Sequence, residues 1–355
     1  VREIFAKVES GGRLSPAEGV RLLAEAGLDE LGAAANAVCE RKNGNVATYV
    51  FNTYLNYSNV CYLSCQFCSF ARKPGQEGAF TYGVDELVQQ ASEAYGQGAR
   101  EVHMVGGLHP KLPFEFYLQL VRTLKQTCPE MAVKAFTAIE VRHLAEHVAK
   151  LSIRETLERL REAGLDALTG GGAEIFSQPV REQICKGKET AEEWLEVHRT
   201  WHRMGMRSTC TMLYGHVESF ADRIDHLHQL RRLQDETGGF TSIVPYAFEP
   251  MNNSLSYLTR VLPEEELRTL AVTRLYLDNF DHVTGYWISL TLPLAQRALR
   301  YGVDDLHGTI FRERIFHMAG AATPEQQSVA TLESAIRAAG REPRRRNTVY
   351  ELVDA

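Results

Sequence analysis

Seven runs of β-branched, aromatic and small apolar residues recur along this 355-residue chain, near 47–56, 101–106, 132–138, 165–169, 207–214, 241–248 and 283–290. Helical patterns separate them, and their ends are marked in the sequence. Asp85 to Tyr95 sets Leu87, Val88, Ala91 and Ala94 on one face, and Phe114 to Thr127 repeats the spacing. Ser152-Ile153-Arg154-Glu155 and Thr190-Ala191-Glu192-Glu193 are capping boxes, closed by Gly164 and Gly205. Ser219 to Thr237 runs into Gly238-Gly239, and Pro263 opens a helix to about Phe280. Strand alternating with helix at these distances means βαβ units and a parallel sheet. No Gly-x-Gly-x-x-Gly turn follows the first run, so the expected fold is α/β, a TIM-like (β/α) barrel, full or partial, rather than an open dinucleotide-binding sheet. Residues 1–45 form a helical preface with a capping box at Ser15-Pro16-Ala17-Glu18. The barrel spans 46–318, and a helical tail over 319–355, with a helix from Thr323 to Ala339, packs on it.

A net charge of −6 argues against a phosphate-binding surface and a nucleic-acid partner, and the run Arg344-Arg345-Arg346 reads as a solvated surface. No window approaches the roughly 18 apolar residues needed to span a bilayer, so no membrane partner is expected. Without a signal-peptide pattern at the N-terminus, the expected location is the cytoplasm. Seven cysteines in a chain of this size suit no disulfide framework; Cys39, Cys128, Cys185 and Cys210 are scattered and read as small buried hydrophobes.

The other three stand together directly after the first strand: Cys61-Tyr62-Leu63-Ser64-Cys65-Gln66-Phe67-Cys68. Thiolates suit iron–sulfur clusters and zinc. A [4Fe–4S] cluster is normally closed by four of them, so three leave one iron open to a small molecule. A zinc site instead needs a fourth ligand from elsewhere in the chain. In a barrel, site residues collect at the C-terminal ends of the strands. That rule gathers the cysteine loop with Gly106-Gly107-Leu108-His109-Pro110, Thr137-Ala138-Ile139-Glu140, Gly170-Gly171-Gly172-Ala173-Glu174, Tyr214-Gly215-His216-Val217-Glu218, and Pro245, Phe248, Glu249 and Asn252. The glycine pairs and triplet are either tight turns or places of close backbone approach to a ligand. Glu140 and Glu174 either bond a ligand or serve as helix N-terminal carboxylates, and His216 and Glu218 either face the pocket or cap the next helix. His103, inside the second strand, reads as structural.

C-x3-C-x2-C with an aromatic before the last cysteine, here Phe67, resembles the signature of the radical S-adenosylmethionine superfamily. The resemblance implies a [4Fe–4S] cluster on Cys61, Cys65 and Cys68, with S-adenosyl-L-methionine on the open iron. It further implies cofactor contacts from Phe67, Gly106, Gly107, Glu140, Gly170, Gly171, Gly172 and Glu174, and a low-potential electron donor such as flavodoxin or ferredoxin. The likeness continues through Asn56 to Val60, Ser69 to Arg72, Glu101 to Pro110, Lys134 to Glu140, Thr211 to His216, Leu277 to Phe280 and Asp304 to Leu306. Together these stretches resemble the aminofutalosine synthase family over roughly Leu22 to Val353. Thr169, His307 and Lys186-Gly187 depart from the family's usual residues. The implied reaction adds the adenosyl radical to 3-[(1-carboxyvinyl)oxy]benzoate, with aryl migration and decarboxylation, to give 6-amino-6-deoxyfutalosine. A related cyclase acting on dehypoxanthine futalosine resembles Ser-Pro-Pro-Glu in the stretch where this chain has Lys134 to Glu140, which favours the synthase. A two-carboxylate substrate needs donors, for which Arg72, His109, Arg181, Lys188 and His216 are candidates. A migrating ring needs aromatic walls, for which Tyr214, Tyr246, Phe248 and Tyr286 are available.

Overall fold

The computed structural model describes residues 1–353; Asp354 and Ala355, the end of the expected tail, lie outside the described residues. Strands β1 (Val46–Val50) and β2 (Asn52–Leu55) are one extended segment interrupted at Phe51. β2 begins a seven-stranded parallel sheet that continues in chain order through β3 (Glu101–Met104), β4 (Ala132–Ala135), β5 (Ala167–Leu168), β6 (Arg207–Tyr214), β7 (Phe240–Ala247) and β8 (His282–Val283). β9 (Asp305–Gly308) fills the gap between the sheet's edges. It pairs in parallel with β1 on one side, and Asp305 bridges Thr284, just past β8, on the other. Gly285 N–H to Asp305 O and Thr48 N–H to Asp304 O, both 2.8 Å, carry the ladder across the seam. The ring of parallel strands is therefore closed, which the sequence left open.

The helices form where their caps are written. Ser15, Ser152, Thr190 and Ser219 each accept from the backbone N–H three residues on, and the acidic residue there reaches back to the cap. Gly164 and Gly238 end helices in the left-handed conformation, at φ 111° and 60°. No helix among the described residues is long and apolar enough to cross a membrane.

Four features differ from expectation. The run 283–290 is strand only at its start; Trp287–Leu290 is helical, and the buried Trp287 indole donates to Gly308 O at 2.8 Å. β9 has no apolar run to announce it. The tail helix begins at Val329 under Ser328, because Thr323 is held elsewhere: its hydroxyl donates to Ile288 O and its carbonyl meets His317 Nε2. The arginine run is not a solvated surface. Glu342–Arg345 is a strand, β10, parallel to β1, and the next residue, Arg346, is 1 % exposed. Its guanidinium meets both Asp305 carboxylate oxygens, at 2.5 and 3.2 Å, at the bottom of the barrel. Asp305 is itself fully buried, and a buried carboxylate needs a paired charge.

Candidate active site

The cysteine loop leaves the top of β2 and is pinned by main chain on several sides. Cys61 N–H donates to Arg72 O (2.9 Å), Tyr62 N–H to Leu108 O (3.3 Å) and Gln66 N–H to Ile184 O (2.7 Å), while Gln66 O accepts from Ser254 N–H (2.9 Å). Lys73 Nζ gathers the carbonyls of Cys61, Tyr62 and Leu63 at 3.3, 2.8 and 2.6 Å. Cys61, Cys65 and Cys68 all line one cavity of about 300 Å³, the scale of a small-molecule pocket. Burial pushes the Cys65 thiol up against the opposing pull of Lys188. Burial also raises Cys68, while the N–H groups of Phe70 and Ala71 stabilise its thiolate.

No group of His, Cys, Asp or Glu side chains among the described residues converges closely enough to hold a single metal ion. Zinc would draw its thiolates to within about 4 Å of one another. A polynuclear cluster takes one thiolate per iron, so three free thiols on one shared pocket fit a [4Fe–4S] group.

The cavity wall beside the cysteines is glycine. A Cβ on Gly107 would stand 2.4 Å from Val60 O, and one on Gly170 2.5 Å from Cys210 Cα, so backbone packs on backbone where a side chain has no room. Glu140 ties this wall together. Its carboxylate accepts from Tyr57 Oη (2.6 Å), Gly106 N–H (3.0 Å) and Thr137 N–H (2.8 Å), and it also completes the cap of helix Ala138–Arg142. Burial raises its pKa and these donors oppose the rise. Glu174 lines the cavity at φ 46° and pairs with Lys188, whose ammonium lies 5.8 Å above the Phe67 ring. Phe136 and His307 also sit at positive φ, 62° and 65°; strained backbone thus recurs at the strand ends around the pocket.

Phe67, Gly106, Gly107, Glu140, Gly170, Gly171, Gly172 and Glu174 are brought together on this cavity, as are Lys188, Tyr246, Phe248 and Tyr286. Five expected substrate contacts are not on it. Arg72 donates to Ser69 O and Ala71 O and braces the cysteine loop. His109 Nδ1 accepts from the N–H groups of Lys111 and Leu112. Arg181 spends its donors on Ala173 O, Ile175 O and Glu189 O, beneath the glycine triplet. Tyr214 is fully buried under Arg223. His216 bonds Leu213 O, and Glu218 closes the same turn by accepting from Gly215 and His216 N–H. Arg72, His109, Arg181 and His216 are thus consumed by local main-chain groups, whereas the Tyr214 hydroxyl is buried without a partner.

The floor of the cavity holds residues outside the expected site set: Tyr54, Lys134, Thr169, Thr209, Thr211 and His307, together with His103, expected as structural. Thr169 and His307 are two of the positions that depart from the family's usual residues. Lys134 carried a signal: a lysine inside the otherwise apolar Ala132-Val133-Lys134-Ala135. Helix Ala138–Arg142 and the π-helix His143–Ala149 were also missed, and the latter reaches the loop after β3 through His143 Nε2 and His109 O, 3.1 Å apart.

Residues 55–230 match the Radical SAM superfamily, and residues 237–355 match the CofH/MqnC C-terminal region. The chain is 48% identical to an aminodeoxyfutalosine synthase from Thermus thermophilus, over 99% of this chain and 95% of that one. It is 41% identical to the enzyme of the same name from Streptomyces coelicolor, over 99% and 94%. A 5-amino-6-(D-ribitylamino)uracil–L-tyrosine 4-hydroxyphenyl transferase from Methanoculleus marisnigri is 42% identical over 99% and 98%. Among solved structures, the FeFe-hydrogenase maturase HydG from Carboxydothermus hydrogenoformans superposes with a TM-score of 0.77 at 16% identity, covering 98% of this chain and 80% of that one. Methylornithine synthase gives 0.76 at 16%, over 96% and 97%. At that identity the likeness is one of fold.

Proposed function

Because this chain belongs to the radical S-adenosylmethionine enzymes, in the family that includes aminodeoxyfutalosine synthase, we propose that it joins the adenosyl group of S-adenosyl-L-methionine to 3-[(1-carboxyvinyl)oxy]benzoate. Aryl migration and loss of the carboxyl group then give 6-amino-6-deoxyfutalosine, methionine and bicarbonate, a step toward menaquinone. The observation that supports this reading is one cavity that has the thiol triplet and a glycine wall at its mouth and aromatic rings at its floor.

Cys61, Cys65 and Cys68 would hold the [4Fe–4S] cluster, and the wall of Gly106, Gly107 and Gly170 to Gly172, with Phe67, Glu140 and Glu174, would hold S-adenosyl-L-methionine. When bound and reduced, the cluster supplies one electron to the sulfonium, which frees the adenosyl fragment for transfer. The chain's own residues provide position and dryness. Glu140 fixes the Gly106 turn and, through Tyr57, the strand that feeds the cysteine loop. Phe70, Phe248, Phe316, Tyr246 and Tyr286 line the cavity and exclude water from reactive carbon centres. A low-potential flavodoxin or ferredoxin in the cytoplasm would deliver the electron.

The test is an anaerobic reaction of the reconstituted protein with reductant, S-adenosyl-L-methionine and 3-[(1-carboxyvinyl)oxy]benzoate, read by mass spectrometry. The expected product carries the adenosyl carbon joined to the benzoate ring system. Free 5′-deoxyadenosine with the benzoate unchanged, or turnover of dehypoxanthine futalosine in its place, overturns the reading.

A further inference from the structure

Lys134 is 3 % exposed, sits in the middle of β4 and opens onto the cavity. Among the described residues its ammonium has no hydrogen bond and no ion pair. Glu101 and Asp305 act on it through space, but neither makes a hydrogen bond to it. Glu101 accepts from Asn52 Nδ2 at 3.1 Å and Thr348 Oγ1 at 2.8 Å, while Asp305 is held by Arg346 and by Thr48 Oγ1 at 2.7 Å. A buried ammonium whose donors are all unused is costly and is kept where a ligand completes it.

The neighbours of Lys134 show what kind of ligand. Strand register puts Tyr54, His103 and Lys134 side by side in one layer of the barrel. Beyond them runs a chain of rings: Tyr54 stacks on His103 at 4.5 Å, His307 lies 5.9 Å from Tyr54 and 5.3 Å from Tyr286, and Phe316 lies 5.4 Å from Tyr286 and 5.5 Å from Tyr246. Thr169, Thr209 and Thr211 also line the cavity and are short, leaving space beside the rings. His307 is 5 % exposed, and its Nδ1 has no partner, nor has His103 Nδ1 or Thr169 Oγ1. A cation with unused donors beside ring faces is complementary to a flat anion.

We propose that Lys134 binds the carboxylate of an aryl carboxylate at the barrel floor, with the aromatic chain from Tyr54 to Tyr246 holding its ring; assigning that carboxylate to the benzoate end of the substrate rests on the reading above. The layer lies three residues below Gly106 and Thr137, about 10 Å along the strands. The benzoate carboxylate and the enol-ether methylene are separated by about 7 Å of ordinary bonds. A ligand anchored on Lys134 thus presents its methylene upward, toward the cysteine mouth. Lys134 is a binding and specificity residue; it takes no part in bond making.

The experiment uses cluster-loaded protein saturated with S-adenosyl-L-methionine and calorimetric titration with 3-hydroxybenzoate, which keeps the ring carboxylate and lacks the enol ether. Wild type should bind it and should bind phenol at least about thirty-fold more weakly, a comparison that needs no variant to fold. Lys134→Met should weaken 3-hydroxybenzoate at least about thirty-fold and leave phenol unchanged, with Lys134→Arg in between. In turnover, Lys134→Met should raise KM for the enol-ether substrate by a similar factor, with iron content and affinity for S-adenosyl-L-methionine retained. Equal binding of 3-hydroxybenzoate and phenol by wild type, or unchanged 3-hydroxybenzoate affinity in Lys134→Met, overturns the anchor even if the enol-ether substrate is converted. Conversely, lysine-dependent 3-hydroxybenzoate binding without conversion of the enol ether sinks the proposed reaction and leaves the aryl-carboxylate site standing.

Discussion

Replacing Gly107 by Ala tests whether the glycine wall positions the cysteine loop. The added Cβ would lie 2.4 Å from Val60 O and 2.8 Å from Val60 C, and an ordinary contact begins at 3.4 Å, so about 1 Å of separation must be found. Neither partner is a flexible side-chain tip. Gly107 N–H is bonded to Ser58 O at 2.8 Å, and Val60 directly precedes Cys61, so the strain goes into the segment that carries the first thiol. Overpacking of this kind costs about 1–3 kcal/mol. In a chain of this length that lowers Tm by about 1–4 °C, too little to unfold it. A shift of about 1 Å between groups that must meet costs about a hundredfold in rate. The expected result is therefore a folded protein with near-normal iron content and kcat/KM down about a hundredfold in the anaerobic coupling assay. Gly96→Ala is the control: nothing lies within 4 Å of its Cβ, and activity should be unchanged. Gly107→Ala activity within about threefold of wild type, with iron bound, refutes the argument that this backbone contact sets the loop.

Alanine at Cys61, Cys65 or Cys68 should each abolish iron binding and coupling. Alanine at Cys39, Cys128, Cys185 or Cys210, all buried and none lining the cavity, should preserve the cluster absorbance at about 400 nm; a colourless wild type holding one zinc contradicts the assignment. At the rim, Glu313 Oε2 lies 2.6 Å from His317 Nδ1 and lifts that imidazole to about 9. A folded-state value above the unfolded one contributes stability that is fully present below about pH 6.5 and lost as pH rises through 9. Solvent screening limits the contribution to about 1 kcal/mol. The change in unfolding free energy from about pH 6 to about pH 10, measured by urea titration, should be smaller by about that amount in His317→Gln than in wild type; an identical change in the variant counts against the pair.

Some of this molecule was legible because it is local. Capping boxes at Ser15, Ser152, Thr190 and Ser219 start helices within three residues of the signal, and Gly164 and Gly238 end them. The cysteine triplet and the glycine turns were legible as a set because parallel connectivity puts every strand's C-terminal end on one side. Arg181 and His216 were misread because their residue types name a charge but not a partner. Both were answered by carbonyls of their own loops.

The sequence alone thus determined the periodicities, the strand-then-helix order and the thiol set, which follow from a few residues' backbone preferences and ligand chemistry. Only the tertiary structure decided which polar residues face the lumen and which are already paired. β9 became a strand because β1 and Thr284 offered it two edges, not because Asp305 to Gly308 favour one. Arg346 was drawn to the barrel bottom by the buried Asp305, 41 residues earlier, whereas Lys134 was left without a hydrogen bond because the donors on Glu101 and Asp305 come from other groups. Pairing is a property of the closed ring, set by register and curvature across strands far apart in the chain, and no local pattern encodes it.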